Sequence, residues 1–152
     1  MKKNESIYLE YSHLIGQLVR KLKLLNKEEK VCYGLTLPQC YTIESLGERG
    51  DQTMNELSRD MGVTISTMTR AVDVLVRNDI VIRKENPKDR RQVFIELTEK
   101  GRDYHQKLKK CSEDTSKAIL DQIPPQQRKN ILNSLRLLVN AVDSCCQKCC
   151  QR

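Results

Sequence analysis

The sequence contains no tryptophan, one phenylalanine and five tyrosines in 152 residues. Proteins that hold single-stranded nucleic acid stack its bases on aromatic side chains, so this thin supply argues against that class. Long apolar runs are also missing. No stretch approaches the roughly 18 apolar residues of a membrane-spanning helix. Met1-Lys2-Lys3 resembles the start of a secretion signal, but Glu5, Glu10 and His13 interrupt the apolar segment that should follow. The expectation is a cytoplasmic protein with no membrane partner. Histidine is limited to His13 and His105, both in stretches that read as helical surface. A cysteine hydrolase pairs its cysteine with a histidine base, and neither a nucleophile elbow nor a glycine-rich phosphate loop is present. The chain is therefore expected not to be an enzyme.

Positive charge, by contrast, is in excess: 27 lysines and arginines against 20 acidic residues give a net charge of +7. Such an excess is the electrostatic footprint of a phosphate-binding protein, although a merely soluble basic protein would share it. The length suits one domain with one core. The seven cysteines are an odd number. In a reducing compartment they are thiols, metal ligands or redox sensors before they are a disulfide framework.

Ile7, Tyr11, Leu14, Leu18, Leu22 and Leu25 recur at spacings of four and three, which predicts one long amphipathic helix ended by the polar run Asn26 to Lys30. Thr36-Leu37-Pro38 reads as a second helix start, with Ile43 and Leu46 inward and Gly47 and Gly50 closing it. Thr53-Met54-Asn55-Glu56 is a capping box for a short helix carrying Leu57 and Met61 and ending at Gly62. Thr64 caps the next helix, striped by Met68, Val72 and Leu75. A short helix, a glycine turn and a longer capped helix form a helix-turn-helix. Ile80-Val81-Ile82 and Val93-Phe94-Ile95 read as strands, joined by the basic tip Asn86-Pro87-Lys88-Asp89-Arg90-Arg91. Thr98 caps a helix running past Tyr104 and Leu108, and Pro124-Pro125 breaks it and opens the last one. There Ile131, Leu135, Leu138 and Val142 form a stripe that Cys145 and Cys149 continue.

The expected fold is mainly α with a small β-hairpin wing: a winged helix-turn-helix flanked by long N- and C-terminal dimerisation helices. Residues 1–35 and 102–152 are assigned to the helical dimerisation region and 36–101 to the winged unit, as one continuous domain. The terminal stripes need partners, which predicts a homodimer rather than a monomeric three-helix layer. Paired reading heads also raise affinity for a pseudo-palindromic double-stranded DNA operator.

Opposite the Met68-Val72-Leu75 stripe lie Ser66, Arg70, Asp73 and Arg77, flanked by Thr67 and Thr69. The N-terminal part of such a helix enters the major groove, so Thr64, Ser66, Thr67, Thr69 and Arg70 are the candidate contacts. Arg70 leads because a guanidinium pairs bidentately with guanine. At the wing, Lys88, Arg90 and Arg91 supply cations narrow enough to meet the minor groove. Asp89 orients a neighbouring arginine or closes the turn. The segments Met54-Asn55-Glu56-Leu57, Thr64 to Arg70, Asn86 to Arg91 and Leu97-Thr98-Glu99-Lys100-Gly101 together resemble the MarR family of bacterial and archaeal transcriptional regulators. That resemblance implies a homodimer built on the terminal helices. It makes Arg91 the minor-groove residue and Asp89 its positioning partner. It also implies an effector or oxidant that alters the spacing of the two heads.

Cys145-Cys146-Gln147-Lys148-Cys149-Cys150 places four thiols within six residues. Cys145 and Cys149 can be small apolar members of the stripe, whereas Cys146 and Cys150 fall outside it. The cluster suits a soft ion such as Zn(II), Cu(I) or As(III). A straight helix does not readily supply four tetrahedral ligands, so the site needs a frayed end or a thiol from elsewhere, and Cys32 and Cys40 are candidate additional donors. Redox or electrophile sensing is the alternative. DNA binding itself is expected to need no cofactor. The readings from other classes are a non-specific architectural DNA-binding protein and a thiol-rich metal buffer.

Overall fold

The computed structural model describes the backbone of residues 2–31, 33–86 and 89–149 and the side chains of 6–22, 24, 33–85 and 92–146. Helix α1 (Lys2–Val31) leads into α2 (Leu37–Arg49), then a short β1 (Gln52–Thr53), α3 (Met54–Asp60) and α4 (Ile65–Arg77). Strands β2 (Val81–Asn86) and β3 (Asp89–Leu97) follow, then α5 (Glu99–Asp121) and α6 (Pro125–Cys149). The protein is thus mainly helical, with a three-stranded antiparallel sheet in the order β1-β3-β2. Two compact units divide the chain, residues 1–109 and 110–152.

The core of the first unit gathers Ile43 from α2, Leu57 from α3, Met68, Val72 and Leu75 from α4, and Ile80, Val81 and Ile95 from the sheet region, all with exposures of 0 or 1%. Leu108 and the partly buried Tyr104 of α5 close it. Cys40 belongs to the same cluster at 1% exposure, packed as a small apolar residue. Ile43, Leu46, Leu57, Met68, Val72 and Leu75 are buried on the predicted inner stripes of their helices, while Ile80, just before β2, is buried beside Val81.

Local chemistry sets the helix ends. The backbone N–H of Thr36 donates to Gln39 Oε1 at 2.8 Å. Gly50, at φ 82°, ends α2, and its N–H reaches Leu46 O. Gly47 does not close the helix as expected. It lies inside α2, where a Cβ would meet the His105 imidazole at 2.4 Å. Its lack of a side chain serves close packing between α2 and α5. The run Asn26 to Lys30 does not end α1 either, since the helix continues to Val31. Lysine and glutamate are good helix formers, and polarity alone does not stop a helix.

The hairpin is longer than its apolar residues indicate. Strand β2 pairs with β3 from Val81↔Leu97 to Glu85↔Val93, with an irregularity at Glu85/Asn86. The backbones of Asn86, Asp89, Arg90 and Arg91 therefore belong to strands rather than to a loop. A solvated two-stranded ribbon recruits polar residues because its ladder bonds are backbone bonds. Strand β1 was not anticipated. Thr53 is both the cap of α3 and a partner of Phe94, because a capping residue already has the extended backbone (φ −76°, ψ 161°) that a strand requires.

The start of α5 is strapped to the α4–β2 turn. Thr98 Oγ1 accepts from the Gly101 N–H at 3.0 Å and donates to Asp79 O at 2.8 Å, while Lys100 Nζ donates to Asn78 O at 2.8 Å. A Cβ on Gly101 would stand 2.1 Å from Ile80 O, a backbone atom that cannot swing aside. Gly101→Ala is expected to cost about 1–3 kcal/mol as an overpacking change. Urea unfolding of the full chain measures it, and an unchanged midpoint would contradict the close approach.

Candidate nucleic-acid interface

The reading head starts with the α3 capping box. The Thr53 N–H and hydroxyl both donate to Glu56 Oε2, at 2.7 and 2.8 Å, and the Glu56 N–H donates back to Thr53 Oγ1 at 3.3 Å. The N–H bond from Thr53, followed by its hydroxyl bond, holds the Glu56 carboxyl below its ordinary range. At the other end of α3, Gly62 (φ 60°) turns the chain towards α4. An Arg49–Asp60 ion pair links α2 to the end of α3.

Thr64 then caps α4. Its hydroxyl accepts from the Thr67 N–H at 3.3 Å and lies 3.0 Å from both Ser66 Oγ and Thr67 Oγ1. Three hydroxyls therefore gather at the helix N-terminus, where the helix dipole is positive and anions such as phosphate are favoured. Met68, Ala71, Val72 and Leu75 face inward, while Ser66, Thr67, Arg70 and Arg77 are exposed. The half-buried Thr69 donates to Ile65 O at 2.8 Å. Arg70 forms no ion pair among the described residues, leaving its guanidinium available to a base or phosphate.

Arg83 and Ile65 escaped the sequence reading. Asp73, placed on the reading face by its spacing, receives Arg83 Nη2 of β2 at 2.5 Å. This pair ties the reading helix to the wing, and no local pattern reveals a partner ten residues away. Ile65 is 53% exposed on the first turn of α4. An apolar side chain at that end suits a thymine methyl group.

At the wing, Lys84 Nζ and Glu96 Oε2 pair across the ribbon at 3.2 Å. Lys88 lies outside the described residues with Pro87, and the side chains of Asp89, Arg90 and Arg91 lie outside the described side chains. Backbone placement puts these three at the start of β3, beside the hairpin tip.

The cysteines divide by position. Cys40 is in the core of the first unit, Cys111 is half-buried on α5, and Cys145 and Cys146 are exposed on α6. Cys149 ends α6 by its backbone; Cys32 and Cys150 lie outside the described residues. Among the described residues, no group of three or more His, Cys, Asp and Glu side chains is arranged to hold a metal ion. The apolar face of α6 also differs from the expected stripe. Leu132, Leu135, Val139 and Val142 are exposed, whereas Ile131 and Leu138 are half-buried. Leu132, Leu135, Val139 and Val142 share one side of the helix at spacings of three, four and three, with the exposed Leu137 on the opposite side, and Cys146 continues their series by four. Cys146 therefore lies on the exposed apolar seam, not outside it. Cys145 borders that seam.

Among the described residues, no helix is long and apolar enough to cross a membrane. The family model described as "MarR family" matches residues 35–93, which include α2 to α4 and most of the wing. Among curated proteins, the chain is 41% identical over 69 residues to an uncharacterised helix-turn-helix transcriptional regulator of Bacillus subtilis, YsmB. The match covers 45% of this chain and 47% of YsmB, so the chain spans about half the length of that relative. Among solved structures, a MarR family protein from Bacillus stearothermophilus superposes with a TM-score of 0.82 at 28% identity, covering 91% of this chain and 97% of the other. Streptococcus pneumoniae FabT, solved in complex with DNA, shares the fold with a TM-score of 0.76 at 24% identity, covering 88% and 98% of the two chains.

The capping box yields a pH prediction. A carboxyl with a folded-state pKa below its unfolded value stabilises the fold above the unfolded value, and that stability is lost as pH falls through the folded value. Glu56→Ala is therefore expected to be least stable relative to wild type at neutral pH. The gap narrows as pH falls below the ordinary carboxylate range of roughly 4. Unfolding midpoints of both proteins across this range provide the test, and a pH-independent gap would remove the carboxylate from the explanation.

Proposed function

We propose that the chain, which matches the MarR family model over residues 35–93, is a homodimeric, sequence-specific DNA-binding regulator of transcription of that family, acting as a repressor in the cytoplasm. The observation that carries the reading is α4: one face is buried against the core and the other presents Ser66, Thr67 and Arg70 beside a hydroxyl-rich N-terminus. In this reading that end enters the major groove of a pseudo-palindromic operator. Arg70 contacts a base edge, and Thr64, Ser66, Thr67 and Thr69 meet bases and nearby phosphates. Arg91 enters the minor groove with Asp89 as its positioning partner, and Lys88 and Arg90 meet the backbone. FabT, which shares this fold, was solved in complex with DNA, and that supports DNA as the partner. No cofactor is needed for it, and the named relative is a transcriptional regulator rather than an enzyme.

Residues 1–35 and 102–152 serve as the dimerisation region around the reading unit at 36–101. Support comes from the exposed apolar faces of α1 (Ile7, Tyr11, Leu14, Leu18, Leu22) and of α6 (Leu132, Leu135, Val139, Val142). Surfaces of this kind mark association sites. The input is a soft metal or metalloid at Cys145, Cys146, Cys149 and Cys150. Cys40 is set aside as a donor because it is core-packed. Oxidation or electrophile attack at the exposed Cys145 and Cys146 is the second reading.

Gel-shift titrations on the upstream region of the protein's own gene test the output. Arg70→Ala is expected to cost about 1–3 kcal/mol of binding and to relax preference at one base position. Arg91→Ala is expected to weaken binding to sites with a narrow minor groove. Equal affinity for random DNA, unchanged by either substitution, would leave only a non-specific binder. Val142→Asp is expected to shift the protein from dimer to monomer in sedimentation, and a monomeric wild type would refute the dimer.

A further inference from the structure

On the first turn of α4, the inner stripe of the helix runs past the end of the core. At about 100° per residue, Ile65 lies roughly 20° from the line of Val72, so it continues the stripe of Met68, Val72 and Leu75 towards the N-terminus. Those three residues have no exposure, whereas Ile65 is 53% exposed. Burial in the first unit therefore does not account for an isoleucine here. Helix formation does not account for it either, because a β-branched side chain lowers helix propensity slightly.

The side chains around Ile65 divide the reading end of α4 in two. Thr69 lies about 40° around the axis from Ile65, one turn further on. Its hydroxyl donates to Ile65 O at 2.8 Å. A hydroxyl has one proton to give, so Thr69 offers no donor on this side of the helix. Ser66 and Arg70 are likewise about 40° apart, and Arg70 lies roughly 140° from Ile65. Both are exposed. One side of the first two turns thus carries a hydroxyl and a guanidinium, and the other carries an isoleucine and a threonine whose proton is already used.

The major groove has a counterpart for each side. Its base edges present hydrogen-bond donors and acceptors, and one alkyl group, the 5-methyl of thymine. Cytosine lacks that methyl and places an amino donor next to the same edge. An apolar side chain beside it gains nothing and leaves the donor without a partner.

We infer that Ile65 reads the 5-methyl group of a thymine in each half-site, a base preference separate from that of Arg70. The inference rests on the proposed entry of the N-terminal end of α4 into the major groove, and it adds the identity of one base pair to that reading.

The test begins with the full-length protein selecting its preferred site from a library of random-sequence DNA duplexes. Each thymine of the selected site is then replaced by deoxyuridine, singly and in both half-sites together. This removes the methyl and keeps every donor and acceptor. One symmetry-related pair of thymines is expected to respond. Affinity should fall about fourfold for each methyl, the scale of burying one methyl-sized group, and about fifteenfold for the pair. Ile65→Ala is expected to bind the thymine and deoxyuridine duplexes equally at that position, with circular dichroism confirming unchanged helicity, while Ile65→Val keeps the discrimination. A selected site with no fixed thymine in its half-sites overturns the inference and leaves the DNA-reading proposal standing. So does affinity that deoxyuridine leaves unchanged at every position, or discrimination that persists in Ile65→Ala. A library that yields no preferred site overturns both, because a non-specific binder reads no base.

Discussion

Met68, Val72 and Leu75 lose all exposure on one side of α4, and this burial fixes the rotation of the helix about its own axis. A helix free to roll would present no defined set of side chains to a groove. With the roll fixed, Ser66, Thr67 and Arg70 face outward, and Ser66 and Thr67 are further held by their hydrogen bonds with Thr64 Oγ1. The remaining ties are smaller. Arg83 on Asp73, Arg49 on Asp60 and Lys84 on Glu96 are solvent-exposed pairs, each contributing about 0–1 kcal/mol. They adjust the tilt of elements that the core already holds. The Thr98 strap differs in kind, because it joins the start of α5 to the backbone carbonyl of Asp79 in the turn that follows α4. Motion of α5 therefore has a direct mechanical route to α4.

The features legible in the sequence were those whose physics is local. Thr36, Thr53, Thr64 and Thr98 act as helix starts because a cap satisfies donors within about one turn. The inner stripes were legible because a helix repeats its faces every few residues. What escaped depended on distant partners. Gly47 is required by a ring on α5, 58 positions later (105 − 47). Arg83 finds Asp73 only once the hairpin has folded back. Strand β1 exists because Phe94 and Ile95 arrive beside residues already extended for capping. The wing ran past its apolar residues because a ladder needs backbone groups, not hydrophobic ones. None of these carries a signal within a short window of sequence.

The C-terminal helix shows how exposure can reassign a pattern. Periodicity alone favoured Ile131, Leu135, Leu138 and Val142, a set consistent with any one-sided helix. Exposure separates the half-buried Ile131 and Leu138 from the open series of Leu132, Leu135, Val139 and Val142. The open series has the alternating spacing of a helix-pairing seam. Cys146 continues it, so the same residue is a candidate for apolar packing and for thiolate chemistry. Free cysteine suits both roles, being small and apolar as a thiol and a strong soft ligand once deprotonated.

Magnitudes decide what such a dual position can do. In a dimer built on this seam, burying a leucine or valine would contribute about 1.5–3 kcal/mol, set against an association cost of about 4–15 kcal/mol. Cys146 is smaller and lies at the end of the series. Removing it from the packing sacrifices about the burial of one small side chain, roughly 1 kcal/mol. In the proposed dimer, a ligand held there would change how the last turns of the two helices meet. A shift of that size is enough for an output head. Two reading helices must match half-sites about 34–36 Å apart, and misplacing one of them forfeits contacts such as that of Arg70, at about 1–3 kcal/mol each. In the proposed dimer, a small rearrangement at the end of α6 would therefore be amplified by the geometry of paired recognition.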